Sequence, residues 1–247
     1  MKRWELTDME LICALRILGL RMLPGLADPL DELPAEIAQR LKSEAEERLT
    51  ASKLLSLNFD GELQLDKDLA AELKEAAETG DWYVYLRKTK SGHRQFLAAN
   101  HIFLKITEQG DALLYRAEDA RSEAEDFLET PEYEEMLTSA AVRINTELLR
   151  NAEAEAIIEA GCPVEVLQFL AEASGGEGEE WQLTIYAEGF EPVSRTYITM
   201  GSHIMQTEME YDLEGEWLVL TPALHDDLLP MESNIYNTEE FEPEEES

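Results

Sequence analysis

The feature that most constrains the fold is an order of segments that occurs twice. In each half a helix-forming stretch runs into glycine, and a strand-like run then opens with tryptophan, Trp82 or Trp181. A second run carries an aromatic residue, Phe96 or Tyr197. A third opens with His-Ile, at His101-Ile102 and His203-Ile204, and a fourth closes the set near Tyr115 or Leu220. Short alternating runs bounded by turn residues are the mark of antiparallel strands. The pattern predicts two four-stranded meanders, with His101 and His203 in one shared structural role at a strand start. The competing reading is that any two meanders look this similar.

The segments around the meanders read as helices. Thr7 and Glu10 stand at capping-box spacing, and Leu6 and Leu11 at the spacing of a hydrophobic staple. Leu11, Ile12, Leu15 and Leu18 make one face of this helix, and Gly19 stops it. Pro34 suits the first turn of a second helix bearing Ile37, Leu41, Ala45 and Leu49. Asp60-Gly61 reads as a tight hairpin, and Asp66 as the cap of a third helix carrying Leu69, Leu73 and Ala77. Residues 117–160 are rich in Ala, Glu and Leu and read as helical, broken at Pro131. Pro163 opens a further helix with Val166, Leu167 and Leu170 inward, which ends in the flexible SGGEGEE.

The expected fold class is α+β, with two quasi-symmetric halves over residues 1–130 and 131–229 in one compact unit. Each half has helices and then a meander, and the two sheets lie side by side with helices packed on one face. Residues 230–247 read as an acidic mobile tail.

The chain carries 54 Asp+Glu against 20 Lys+Arg, a net charge of −34. The excess is uneven: residues 1–125 hold 17 basic and 24 acidic residues, and residues 126–247 hold 3 and 30, so the net values are −7 and −27. Such a field repels phosphate backbones and anionic lipid, which argues against nucleic acid as a partner. Its simplest role is to keep the chain from self-association; DNA mimicry and a salt-adapted source are the alternatives. The opening MKRWELTDMEL lacks the apolar core of a signal peptide. No apolar run approaches the roughly 20 residues of a membrane span. Cys13 and Cys162 have no metal-ligand spacing, and Cys13 reads as a buried thiol. A cytoplasmic protein without membrane insertion is expected.

No catalytic pattern stands out. The histidines, His93, His101, His203 and His225, lack H-E-x-x-H spacing, and no G-x-S-x-G, phosphate loop or dinucleotide fingerprint occurs. His225-Asp226-Asp227 reads as a solvated turn rather than a metal site, since it lacks a defined ligand set. The chain is expected not to be an enzyme and to have no cofactor, metal or catalytic residues. A hydrolase or transferase with unrecognised carboxylates is the alternative, because acidic residues are too abundant here for any pair to carry information. One cluster stands against the charge: Arg87, Lys88, Lys90, His93 and Arg94, at the first hairpin of the first meander. It reads either as a docking loop for an acidic or polar-tipped partner or as a polar edge whose lysines discourage strand pairing. The corresponding AEGFEPV of the second half carries Phe190 and acid instead.

The segment LTDMELICALRILGLRMLPGLADPL, followed by AEERLTASKLLSL, DLAAELKEAAE and a tryptophan-led meander, resembles the opening of the EspG-like chaperones of type VII (ESX) secretion. The resemblance covers about the first 120 residues and extends to the second half through the repeated layout. It implies an EspG-like fold and a cytosolic chaperone or adaptor that keeps helical secretion substrates soluble for export. The implied partner is a secreted helical-hairpin protein of WXG/LXG or PE/PPE-like type, contacted through a hairpin loop that falls here on Lys88 to His93. The strong acidity and the scarcity of arginine in the second half depart from the actinobacterial pattern. The other function class is an acidic immunity or inhibitor protein that binds a basic toxin or DNA-binding protein.

Overall fold

A computed structural model describes residues 2–89, 92–99, 101–128 and 138–229. The fold is α+β. The first half runs β1 (Arg3–Thr7), α1 (Asp8–Ile17), α2 (Ala35–Ala51), β2 (Leu55–Leu57), β3 (Leu63–Leu65), α3 (Lys67–Glu78) and the meander β4 (Trp82–Thr89), β5 (Gly92–Ala99), β6 (Ile102–Ile106), β7 (Asp111–Arg116). After α4 (Ala120–Leu128) come β8 (Val142–Asn145), α5 (Thr146–Arg150), α6 (Ala154–Glu159) and α7 (Val164–Glu172). The second meander is β9 (Glu179–Tyr186), β10 (Val193–Met200), β11 (His203–Asp212), β12 (Gly215–Ala223), and a short 3-10 turn at His225–Leu228 follows it. Ten strands form an antiparallel sheet in the order β1-β7-β6-β5-β4-β9-β10-β11-β12-β8, and β2 and β3 pair separately.

Two of these strands were not expected. Trp4 and Leu6 alternate with charged residues just before the Thr7 cap, and Val142 and Ile144 do so just before Asn145. Each run forms a short strand that pairs with the last strand of its own meander, β1 with β7 and β8 with β12. Both strands then turn directly into a helix. Thr7 Oγ1 accepts from Glu10 N at 3.2 Å while Glu10 Oε2 accepts from Thr7 N at 2.6 Å, and Asn145 Oδ1 accepts from Glu147 N at 2.9 Å. The region 117–160 is therefore not uniformly helical. The expected break at Pro131, the expected boundary at residue 130 and the tail 230–247 lie outside the described residues.

The chain divides into two compact units, one of residues 1–84, 94–120 and 186–191, the other of 85–93, 121–185 and 192 onward. In the first unit Leu97, Leu104, Leu114 and Trp4 stand on one rung. They face Leu11 and Leu15 of α1, Leu49 of α2 and Leu69 and Leu73 of α3, all buried in one cluster. Full burial of each such leucine stabilises by roughly 1.5–3 kcal/mol, so this cluster anchors the three helices to the sheet. The opposite face stacks Phe96 on Phe103 at 5.9 Å and sets Phe103 5.7 Å from Tyr115.

In the second unit Val142, Ile144, Met205 and Leu220 face Ile157 of α6 and Val166 and Phe169 of α7. Side chains alternate along a strand, so Trp181 and Tyr197, which oppose each other across β9 and β10, point the other way. There Phe127 of α4 meets Trp181 edge-on at 6.2 Å, and the Tyr197 hydroxyl donates to Asp227 O at 3.3 Å. α4 thus packs on the face opposite α6 and α7, which corrects the expectation of helices on one face only.

The register also corrects the reading of the histidines. Phe96 opposes Lys105 and Tyr197 opposes Gln206, so the aromatic residues do occupy matching rungs. Ala99 opposes Ile102 in the first hairpin, whereas Met200 opposes His203 in the second. His101 therefore lies in the turn and His203 on the strand, one position apart in the repeat. A one-residue offset exchanges the two faces of a strand, so the repeated His-Ile does not mark equivalent sites.

Candidate partner-binding surface

The basic hairpin residues have divergent surroundings. Arg87 is drawn inward: its side chain is only 12 % exposed, with Nη2 2.7 Å from Glu179 Oε1 and Nη1 donating to Leu128 O at 3.4 Å. Its guanidinium also lies 4.8 Å from the centroid of the Trp181 ring. Lys88 is paired with Glu180. Arg94 Nε stands 3.7 Å from Glu108 Oε1, and His93 is exposed. Lys90 lies outside the described residues. Of the predicted docking residues, Arg87 thus serves the packing of its own unit, and Lys88 and Arg94 have acidic neighbours. The sequence could not show this, because Glu179 and Glu180 are about ninety residues away.

What sequence reading missed is an exposed apolar surface at the end of the second meander. The matching rungs make Ile106 of β6 equivalent to Thr207 of β11. Beyond Ile106 the first hairpin closes in five residues, 107–111, before Ala112. Beyond Thr207 the second continues through twelve, 208–219, before Leu220. At about 3.3 Å per residue the extra strand length is about 16 Å. Along it Met209 is 42 % exposed, Tyr211 74 % exposed, and Leu213 fully exposed. Met209 and Tyr211 share one face of the arm, Glu208, Glu210 and Asp212 stand on the opposite face, and Leu213 lies in the turn. The signal was present as alternation in MEYDLEG, but a polar-apolar alternation also describes any half-buried strand.

The arm is braced. Asp212 Oδ1 accepts from Glu214 N at 2.8 Å, from Gly215 N at 3.1 Å and from the Trp217 indole N–H at 3.0 Å. Arg143 of β8 pairs with Asp212 and Glu210 and lies 4.3 Å from the Trp217 ring centroid. These hydrogen bonds, led by that of Arg143, hold the Asp212 carboxyl down at about 2. Near the end of the arm the Tyr211 hydroxyl is 3.4 Å from Glu216 Oε1, and Glu216 is held in turn by Arg150 and by Thr146 Oγ1 at 3.1 Å. Arg143, Ile144, Leu148, Ile157 and Trp217 line an adjacent cavity of about 430 Å³.

A second exposed apolar group lies on the separate β2–β3 hairpin. Leu57 opposes Leu63 and Phe59 is fully exposed at the tip. Asn58 Oδ1 accepts from Asp60 N and Glu62 N, both at 2.9 Å, which fixes this turn locally. The paired Asp226 and Asp227 are otherwise engaged, Asp226 by Arg121 and Asp227 by Leu224 N at 2.7 Å. No helix among the described residues is long and apolar enough to cross a membrane.

Compared with known proteins, the chain matches no family model and no curated protein.

Proposed function

We propose that this chain is a cytoplasmic, non-enzymatic adaptor that binds a helical partner protein and keeps it soluble, as the resemblance to EspG-like chaperones of type VII secretion implies. The observation that carries this reading is the display of large apolar side chains on two hairpins, Leu57, Phe59 and Leu63 on one and Met209, Tyr211 and Leu213 on the other. A chain this acidic resists self-association, so exposed apolar groups on it suit contact with a different protein. Co-expression with helical-hairpin proteins encoded beside it tests the proposal. The expected result is a stable complex and a larger soluble fraction of the partner. Unchanged partner solubility and elution of the chain alone would contradict it.

The net −27 of residues 126–247 favours a second reading, an inhibitor of a basic protein. All three basic residues of that segment are arginines, and Arg143 and Arg150 are already paired with acid, so the field around it stays negative. Binding to a basic nuclease that collapses as salt rises from about 0.05 to 0.5 M is the expected signature of that reading.

A further inference from the structure

We propose that the free edge of β11 at Met209 and Tyr211 is a strand-addition site. Its occupant is an extended segment of another protein that carries a β-branched apolar residue at every second position. The inference goes beyond the adaptor reading, since it names an extended segment where that reading names a helix.

The register shows which backbone groups are open. Two residues join β10 to β11 between Met200 and His203, and two join β11 to β12 between Asp212 and Gly215. A two-residue hairpin loop is flanked by a hydrogen-bonded pair, and such pairs recur at every second residue. Counting from either turn along the unbroken register gives the same result. Glu208, Glu210 and Asp212 turn their N–H and C=O groups towards β12, and Met209 and Tyr211 turn theirs away from it. On that side the pairing with β10 ends where Thr196 opposes Thr207, and among the described residues no strand continues it. Residues 208–212 are all exposed.

β10 is unable to close this edge. Continued in the same register it would set Pro192 opposite Tyr211, and proline has no N–H to give to the Tyr211 carbonyl.

The chemistry of the occupant follows from these groups. N–H and C=O groups open along a strand edge are matched by another extended backbone, whereas a helix has already paired its own. A second copy is disfavoured by the register. Two β11 edges paired antiparallel through Met209 and Tyr211 would set the acids at 208, 210 and 212 of one copy against those of the other. Like charges directly opposite destabilise a sheet. Met209 and Tyr211, 42 % and 74 % exposed, share a face, and the occupant's residues opposite them would stand on that face too. Apolar and aromatic side chains pair well there with β-branched ones. On the other face Glu210 and Asp212 are already held by Arg143, so no charge is demanded of the occupant's intervening residues.

Three peptides of about nine residues test this. The parent alternates valine and threonine, with a lysine at each end for solubility. One derivative is N-methylated on its valines, whose N–H groups would meet the edge, and the other on its threonines. All three carry the same charge, so electrostatic attraction cancels. The parent and the threonine-methylated peptide should bind with the same Kd. The valine-methylated one should bind at least about tenfold more weakly, having lost its hydrogen bonds to Met209 and Tyr211. With the parent bound, amide exchange at Met209 and Tyr211 should slow. Tyr211→Pro removes an outward N–H and no bond to β12, so it should weaken the parent peptide while leaving Tm nearly unchanged. Equal affinity of all three peptides for the unaltered chain, or no binding of the parent at about 1 mM, would overturn the site. Either result leaves the co-expression test of the adaptor untouched.

Discussion

The β6–β7 and β11–β12 hairpins hold the same place in the repeated order, yet they end differently. The first turns back at once and is fastened by its Gly110 carbonyl to the start of α1. Gly110 has φ +81°, and a Cβ there would lie 3.1 Å from the Asp8 carboxylate, so the turn suits glycine alone. The second continues for twelve residues, braces itself with an aspartate hub, and exposes three large apolar side chains. One hairpin completes a core and the other builds a surface. The two hairpins thus differ in length and in how much apolar surface they leave exposed.

The largest expected contrast is in stability. Leu104→Ala, in the fully buried rung of β6, should cost about 2–5 kcal/mol in urea unfolding. Leu213→Ser at the tip of the long arm should stay within about 0.5 kcal/mol. Comparable losses at the two sites would break the comparison.

A smaller effect concerns the basic hairpin. Arg87→Ala removes the partner of Glu179 and uncovers the Trp181 ring, and should lower stability by about 1–3 kcal/mol. Lys88→Ala, at a half-exposed pair, should change it by about 0–1 kcal/mol. If both were neutral, Arg87 would be a surface residue after all.

The brace of the arm has a pH signature. The Asp212 carboxyl is depressed to about 2 from an ordinary value near 3.8. A depressed carboxylate contributes fully above the ordinary value, and its contribution fades as pH falls from about 4 towards 2. The Trp217 indole N–H resonance should therefore hold its position down to about pH 4 and move below it. Asp212→Asn should remove that titration and speed amide exchange at Glu214 and Gly215.

The smallest effect is chemical. Burial, helped by the nearby Glu46, raises the Cys13 thiol to about 11, and burial also raises that of Cys162. Both should react slowly with a thiol reagent at pH 8 in the folded chain and quickly in denaturant.

Much of the fold was legible because its determinants are local. The capping box at Thr7, the Asp66 cap, the Asp60-Gly61 turn and the strand-like runs all act within a few residues. β1 and β8 escaped notice because two apolar residues each are too few to show a period, and pairing with β7 and β12 makes them strands. The His-Ile repeat misled because a sequence match carries no register, which the hairpin turns alone determine. The inward placement of Arg87 was illegible for a related reason. Whether an arginine faces a partner or its own core depends on what sits across the sheet, and Glu179 is distant in sequence.

Amide hydrogen exchange of the chain alone tests the contrast between the two hairpins most directly. The account predicts that amides at 102–106, on the buried rungs, exchange at least about tenfold more slowly than those at 208–212 on the exposed arm. Equal protection of the two stretches would contradict it.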